Sequence, residues 1–277
     1  MIVKLMELLN DAKKNNYAVP AFAVENQLMC KAAIEASEKE NAPIILLAGY
    51  NSNNEDILFL DYVYECAKQS KTKIAIMKDH TKDFSDSIKG IYQRFPAIMI
   101  DRSTLDLKEN IKQVKEFVEI AHASDIEVEA ELGHVGIGIE IDKNSKDNFT
   151  KPEEAVVFVK ETNVDCLAVS IGNAHGLYKG EPEIDFELLN EIASKVEIPL
   201  VLHGATGTGE DCIRKMCKNG IQKINIGTEL YMSSVNAVMN NIENLSKSPY
   251  LVYEKIVEEY KNVALKWIDL CGTKNRS

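Results

Sequence analysis

Short apolar runs recur along the chain and alternate with stretches of helical spacing. The runs at 18–25 (AVPAFAVE), 43–49 (PIILLAG), 73–80 (KIAIMKDH), 97–101 (AIMID), 127–133 (EVEAELG), 166–172 (CLAVSIG), 199–205 (PLVLHGA) and 223–229 (KINIGTE) have the length and composition of strands. Segments 27–40, 106–123 and 210–220 carry apolar residues three and four apart, which predicts helices. Strands that are apolar on both faces belong in a parallel sheet covered by helices. Eight β-α units are the number that closes a (β/α)8 TIM barrel, a fold of ~250 residues. The fold class expected is therefore α/β. Two helices fall outside the repeat. One, at about 3–15, is expected to cap the barrel floor, and one at 251–270 to pack on the barrel or on a partner subunit. Segment 136–151 (GIGIEIDKNSKDNFTK) is long and polar, the profile of a mobile lid. No linker or low-complexity tract interrupts the pattern, so residues 1–277 are expected to form a single domain.

Polar residues gather where the predicted strands end. Asp79 and His80 close the third, Asp101 closes the fourth, and Glu131 lies near the end of the fifth. His175 follows the sixth, His203 ends the seventh, and Asn225 lies on the eighth. In a barrel these positions share the C-terminal rim, where such folds keep their active sites. Three neutral imidazoles meeting at one point are a ligand set that zinc favours, with a position left open for substrate. Glycine directly follows two of them, in His175-Gly176 and His203-Gly204. The runs after strands seven and eight, GATGTG and Asn225-Ile226-Gly227-Thr228, sit where barrels of this kind cradle phosphate. The pattern predicts a metal-dependent enzyme.

Composition narrows the possibilities. With 43 acidic against 32 basic residues the net charge is −11, which argues against a nucleic-acid partner. The arginines are Arg94, Arg102, Arg214 and Arg276, few for a protein that clamps several phosphates bidentately. Six cysteines without a C-x-x-C pair fit a reduced compartment, and Cys30, Cys66, Cys166 and Cys217 are expected to be buried in helices or strands. Neither a signal-peptide core nor a membrane span is legible, so a soluble, cytoplasmic protein is expected. His122 reads as a surface residue and His134 as a rim residue that is not a ligand. The GIG run at 136–138 lacks the strand-to-helix context of a dinucleotide site.

The runs AVPAF, EAELG, IGNAHGLYKGEPEIDFELL, LVLHGATG and KINIGTEL resemble the class II zinc-dependent aldolases along nearly the whole chain. The resemblance implies an aldehyde-lyase of carbohydrate metabolism, of the glycolytic type. It would cleave a fructose or tagatose 1,6-bisphosphate to dihydroxyacetone phosphate (DHAP) and an aldehyde through a metal-stabilised enediolate. Zn2+ would be held by His80, His175 and His203, with Glu131 and Asp101 forming an alternative metal position. A second divalent or a monovalent cation stays open. Asp79 would handle the proton of the C4 hydroxyl, and Glu140 would be the mobile carboxylate that moves the proton on the DHAP carbon. Gly176, Lys179, Gly204, Ala205, Thr206, Asn225, Ile226, Gly227 and Thr228 would surround DHAP and its phosphate. The resemblance also implies a homodimer or homotetramer.

Four positions depart from the family pattern. Ala23 stands where asparagine is usual, Lys78 where leucine is usual, and Arg102 where a small residue is usual. An arginine of the C-terminal helix that meets a distal phosphate has no counterpart, Val257 falling nearest. Lys78 and Arg102 are either surface charges on solvated strand ends or a shifted anion site beside the metal. Two other readings stay open: a related metal-dependent aldolase for a different sugar-derived phosphate or acid, and a sugar-phosphate sensor without turnover. The sensor has no chemical need for Asp79.

Overall fold

The computed structural model describes residues 1–49, 57–81, 83–136, 148–176, 178 and 182–277. Among them, eight parallel strands pair in chain order and close into a barrel. These are β1 (Val19–Val24), β2 (Ile44–Ala48), β3 (Ile74–Thr81), β4 (Ala97–Ile100), β5 (Glu127–Leu132), β6 (Cys166–Val169), β7 (Leu200–Leu202) and β8 (Ile221–Ile226). Closure is made by β1 against β8, with Ala21 opposite Asn225. Helix α1 (Leu5–Asn15) precedes the barrel. The crossovers run through α2 (Gln27–Glu40), α3 (Ile57–Gln69), α4 (Phe84–Tyr92), α5 (Leu107–Ala123), α6 (Pro152–Thr162), α7 (Phe186–Lys195) and α8 (Glu210–Lys218). After β8 come α9 (Thr228–Met239), α10 (Ile242–Lys247) and α11 (Val252–Cys271). Asn26, Asp83, Asp106 and Asp185 start α2, α4, α5 and α7 by accepting a backbone N–H three residues on, the standard use of a short polar side chain at a helix start.

Strand alternation divides the core in two. Phe22, Val24, Leu46, Ile76, Ile98 and Ile100 face the helices. Val19, Ala21, Ile45, Leu47, Ala75, Met77, Ala97 and Met99 fill the barrel with Leu5, Leu8, Leu9 and Ala12 of α1, which therefore plugs the floor. Each buried leucine there contributes roughly 1.5–3 kcal/mol. Of the two surfaces open to the C-terminal helix, α11 takes the barrel. It lies against α2 and α9 with Val257, Tyr260, Ala264, Trp267 and Ile268 buried. The Tyr260 hydroxyl donates to the Ala23 carbonyl at 2.7 Å.

The eighth strand is placed differently from the run 223–229. Gly227 leaves the extended region (φ −127°, ψ −65°) and Thr228 opens α9, so the end of that run is a helix start. The sixth and seventh strands stop earlier than their apolar runs, and the residues left over form rim loops. Cys30, Cys166 and Cys217 are buried as expected, while Cys66 is only half-buried. No helix among the described residues is long and apolar enough to cross a membrane.

Candidate active site

Successive strand residues point to opposite faces, so Asp79 and His80 could not both face inward on a regular strand. Between Lys78 and Thr81 the register of β3 against β4 shifts, and His80 adopts φ +36°. This irregularity brings both side chains to one cavity of about 190 Å³ at the C-terminal rim. Of the expected site residues, His175, Gly176, those at 204–206 and those at 225–228 line the same cavity, joined by Ala23, Leu47 and Tyr231. His203, Asp101 and Glu131 lie against it through His80. Glu140 and Lys179 fall outside the described residues.

His80, His175 and His203 offer nitrogens within 4.8 Å of one another. Nε2 of His80 and Nδ1 of His203 stand 2.7 Å apart. The second nitrogen of each ring is engaged elsewhere: His80 Nδ1 with Asp101 Oδ2 at 3.1 Å, His175 Nδ1 with the Val135 carbonyl at 2.9 Å, and His203 Nε2 with Glu129 Oε1 at 2.9 Å. Acceptors placed behind the rings fix which nitrogen is left for a metal, so this donor set fits a divalent cation. His80, Asp101 and Glu131 form a second possible set. Glu131 Oε1 accepts the Val135 N–H at 2.9 Å, whereas its buried Oε2 has no hydrogen-bond donor among the described residues. A bound cation would satisfy that oxygen.

Charge and burial act differently on each group. Burial, then the neighbouring Asp101, pushes the Glu131 carboxyl up to about 8. His203 is held well below the usual imidazole range by burial and by His80, and His175 is lowered by the same two causes. At His80 burial is outweighed by Asp79, Asp101 and Glu131, which raise it to about 9. Burial at Asp101 is likewise outweighed by the His80 hydrogen bond, which holds its carboxyl well below the usual range. His80 and Glu131 therefore bind protons more tightly in the folded chain than in the unfolded one. The metal-free protein is expected to lose stability as pH rises from 7 to 9, while zinc affinity rises over the same window because metal must displace those protons. Zinc titrated into weakly buffered protein at pH 8 should release protons, detected with an indicator dye. A silent titration with full zinc uptake would contradict this.

Two residues absent from the expected set carry the centre of the barrel. Glu129 on β5 and Lys223 on β8 are both fully buried and pair at 2.7 Å, and Glu129 also holds His203. Asn225, two residues beyond Lys223 and so on the same face, donates to Asp79 Oδ1 at 3.0 Å. The signal for Glu129 was present in EVEAELG, where Glu127, Glu129 and Glu131 alternate and must face one side. Glu127 accepts the Met6 N–H at the floor, Glu129 holds the middle, and Glu131 reaches the rim.

The surface reading of Lys78 and Arg102 is corrected: both side chains are buried and held by protein acceptors rather than by solvent. Lys78 points between β3 and α4, with Nζ 2.8 Å from Asp86 and 3.0 Å from Gln93. Arg102 donates to the carbonyls of Thr81 and Asp101 and to Gln113. Neither lines the cavity. His122 pairs with Asp165 at 2.9 Å on the outside of the barrel, and His134 meets Ser103 at 2.9 Å.

After β7 and β8 the chain turns into α8 and α9, so two helix N-termini follow the strands that end at the cavity. Unpaired N–H groups and the positive end of a helix dipole favour an anion there. Among solved structures, the YdjI aldolase from Escherichia coli K12 superposes with a TM-score of 0.90 at 32% identity, over 100% of this chain and 99% of that one. A provisionally assigned fructose-1,6-biphosphate aldolase from Coccidioides immitis gives 0.89 at 25% identity, over 99% and 97%. The fructose-bisphosphate aldolase of Campylobacter jejuni shares the fold, with a TM-score of 0.84 at 20% identity over 100% and 97%. The family model described as fructose-bisphosphate aldolase class-II matches residues 3–276. With that match over nearly its whole length, the chain belongs to the class II fructose-bisphosphate aldolase family, whose members are metal-dependent.

Proposed function

We propose that this chain, acting as one domain, is a zinc-dependent aldolase that cleaves a ketose 1,6-bisphosphate of the fructose or tagatose type to DHAP and an aldehyde. One observation carries the reading. Three imidazoles converge beside Asp79, and each has its second nitrogen held by a protein acceptor. His80, His175 and His203 would hold the metal, with Asp101 and Glu131 as the alternative position. Bound zinc supplies a Lewis acid for the electron pair left when the carbon–carbon bond breaks. Asp79, oriented by Asn225, takes the hydroxyl proton as the aldehyde forms. Residues 204–206 and 225–228, with Gly176 and Lys179, receive the phosphate of the DHAP half. Glu140 moves the proton on the DHAP carbon.

A related aldolase for a different sugar-derived phosphate is the second reading, favoured by one feature. No lysine or arginine stands among the described residues that line the cavity, now that Lys78 and Arg102 are accounted for elsewhere. A homodimer or homotetramer in the cytoplasm completes the proposal. Exposed Met232, Val235 and Met239 on one side of α9, with Ile242, Tyr250 and Tyr253 after it, support self-association, and sedimentation velocity decides it.

The primary test is exchange of the DHAP carbon-bound proton in D2O, followed by NMR with zinc and then with EDTA. This half-reaction needs no aldehyde, so it is independent of which ketose is cleaved. Stereospecific exchange that depends on zinc and stops with EDTA is expected. Its absence in folded, zinc-loaded protein would remove DHAP from the proposal.

A further inference from the structure

The loops that follow β6 and β7 are fastened to each other by side chains of the first. Asn173, buried, donates from Nδ2 to the carbonyls of His203 at 3.0 Å and Val169 at 3.3 Å, and its Oδ1 accepts the Ile171 N–H at 2.8 Å. Tyr178 makes the second fastening. Its hydroxyl accepts the Ala174 N–H at 2.7 Å and donates to the Gly204 carbonyl at 2.8 Å. The two backbone groups joined by that one oxygen are neighbours of two imidazoles, since Ala174 precedes His175 and Gly204 follows His203. The Tyr178 ring lies over Gly207, where a Cβ would meet Cδ2 at 3.1 Å. Gly204 itself has φ +63°, and a Cβ there would stand 2.0 Å from the Ala174 oxygen. The two loops are in backbone contact, and the hydroxyl bridges them beside the Asn173 bond.

The geometry points to Tyr178 as a positioning residue that couples anion binding at residues 204–206 to metal ligation by His175. This rests on the metal and phosphate sites proposed above. An anion that settles on residues 204–206 fixes Gly204. The hydroxyl passes that constraint to Ala174, and so to the imidazole one residue on. A metal that holds His175 constrains Gly204 by the same route in reverse. Each ligand needs the fastened arrangement, so ordering the loops costs less for whichever binds second, and the coupling is positive. Linkage makes it reciprocal. His80 stands on β3, outside the fastened pair, so the effect reaches two of the three ligands.

The test uses the full chain, zinc buffered by a chromophoric chelator, and sulfate as a tetrahedral dianion that does not precipitate zinc. In the wild type, saturating sulfate is expected to tighten zinc about tenfold, and zinc to tighten sulfate by the same factor. Tyr178→Phe removes one oxygen and keeps the ring over Gly207. It should bind zinc and sulfate individually, with the coupling factor reduced to near one. A purely structural role for Tyr178 predicts something else: zinc weakened equally with and without sulfate, and the factor preserved. That result overturns the inference, as does a wild type that binds both ligands with no mutual effect, a measurement that needs no variant to fold. A wild type that binds neither zinc nor sulfate overturns the proposed function, and the coupling with it.

Discussion

Asp79→Asn is expected to slow carbon–carbon cleavage severely and leave exchange of the DHAP proton largely intact. Asp79 is nearly buried, lines the cavity, and is held at 3.0 Å by Asn225 from β8. A positioned base of this kind contributes roughly 10²–10⁴ in rate, so kcat for cleavage should fall by about that factor. The amide has almost the same shape as the carboxylate, so the cavity and the imidazoles beside it keep their places. In the proposed reaction the proton assigned to Asp79 sits on the hydroxyl of the departing aldehyde half, which is absent when DHAP binds alone. Cleavage and exchange should therefore separate in this variant. Two measurements decide it: a coupled assay for cleavage, and NMR for exchange. Loss of both in equal proportion would reassign Asp79 to DHAP binding or to the metal. Cleavage within tenfold of the wild type would remove it from the chemistry.

The largest effect on stability is expected from Lys223→Met. Lys223 and Glu129 are both fully buried, so the methionine leaves a carboxylate in the middle of the barrel without its counter-charge. Removing one member of a buried ion pair costs about 3–5 kcal/mol. Urea unfolding of the metal-free protein should show a loss of that size. Pairing the change with Glu129→Gln should return a large part of it, because the stranded charge is gone and the amide still reaches His203. That double variant tests whether the cost lies in the unpaired charge or in lost packing. A double variant no more stable than the single one would assign it to packing, and a single-variant loss below about 1 kcal/mol would mean that water reaches Glu129.

Much of the architecture was legible because the physics that selects it is periodic. Apolar runs of strand length, spaced by helical segments, admit few closed solutions, and the eight runs correspond to the eight strands of the barrel. The histidines were legible for a related reason: His80 and His203 stand at a strand end and His175 in the loop that follows one, and parallel strands bring such ends to one rim. Residues beside the rim were harder. Lys78 neighbours Asp79 inside β3 and Arg102 neighbours Asp101 just past β4, and only the folded chain shows that their side chains turn to protein partners away from the cavity. The irregularity at His80 breaks the strand alternation, and nothing in MKDH announces it. Glu129 and Lys223 are 94 residues apart, and their partnership follows from closure of the barrel, a property of no single segment. The contacts of Asn173 and Tyr178 lie between loops, where periodicity carries no signal at all.

The pair at the barrel centre also bears on how the fold is reached. Glu129 enters the growing chain 94 residues before Lys223. A barrel assembled as far as β7 holds a carboxylate in its middle that has the His203 imidazole beside it but lacks its ammonium partner. Docking of β8 supplies the missing ammonium and completes the ring in one step. Incomplete barrels are thus set apart from the finished one by electrostatics as well as by unpaired strand edges, and assembly is expected to be all-or-none at its last strand. A fragment ending before β8 would carry its own penalty against persisting as a compact species.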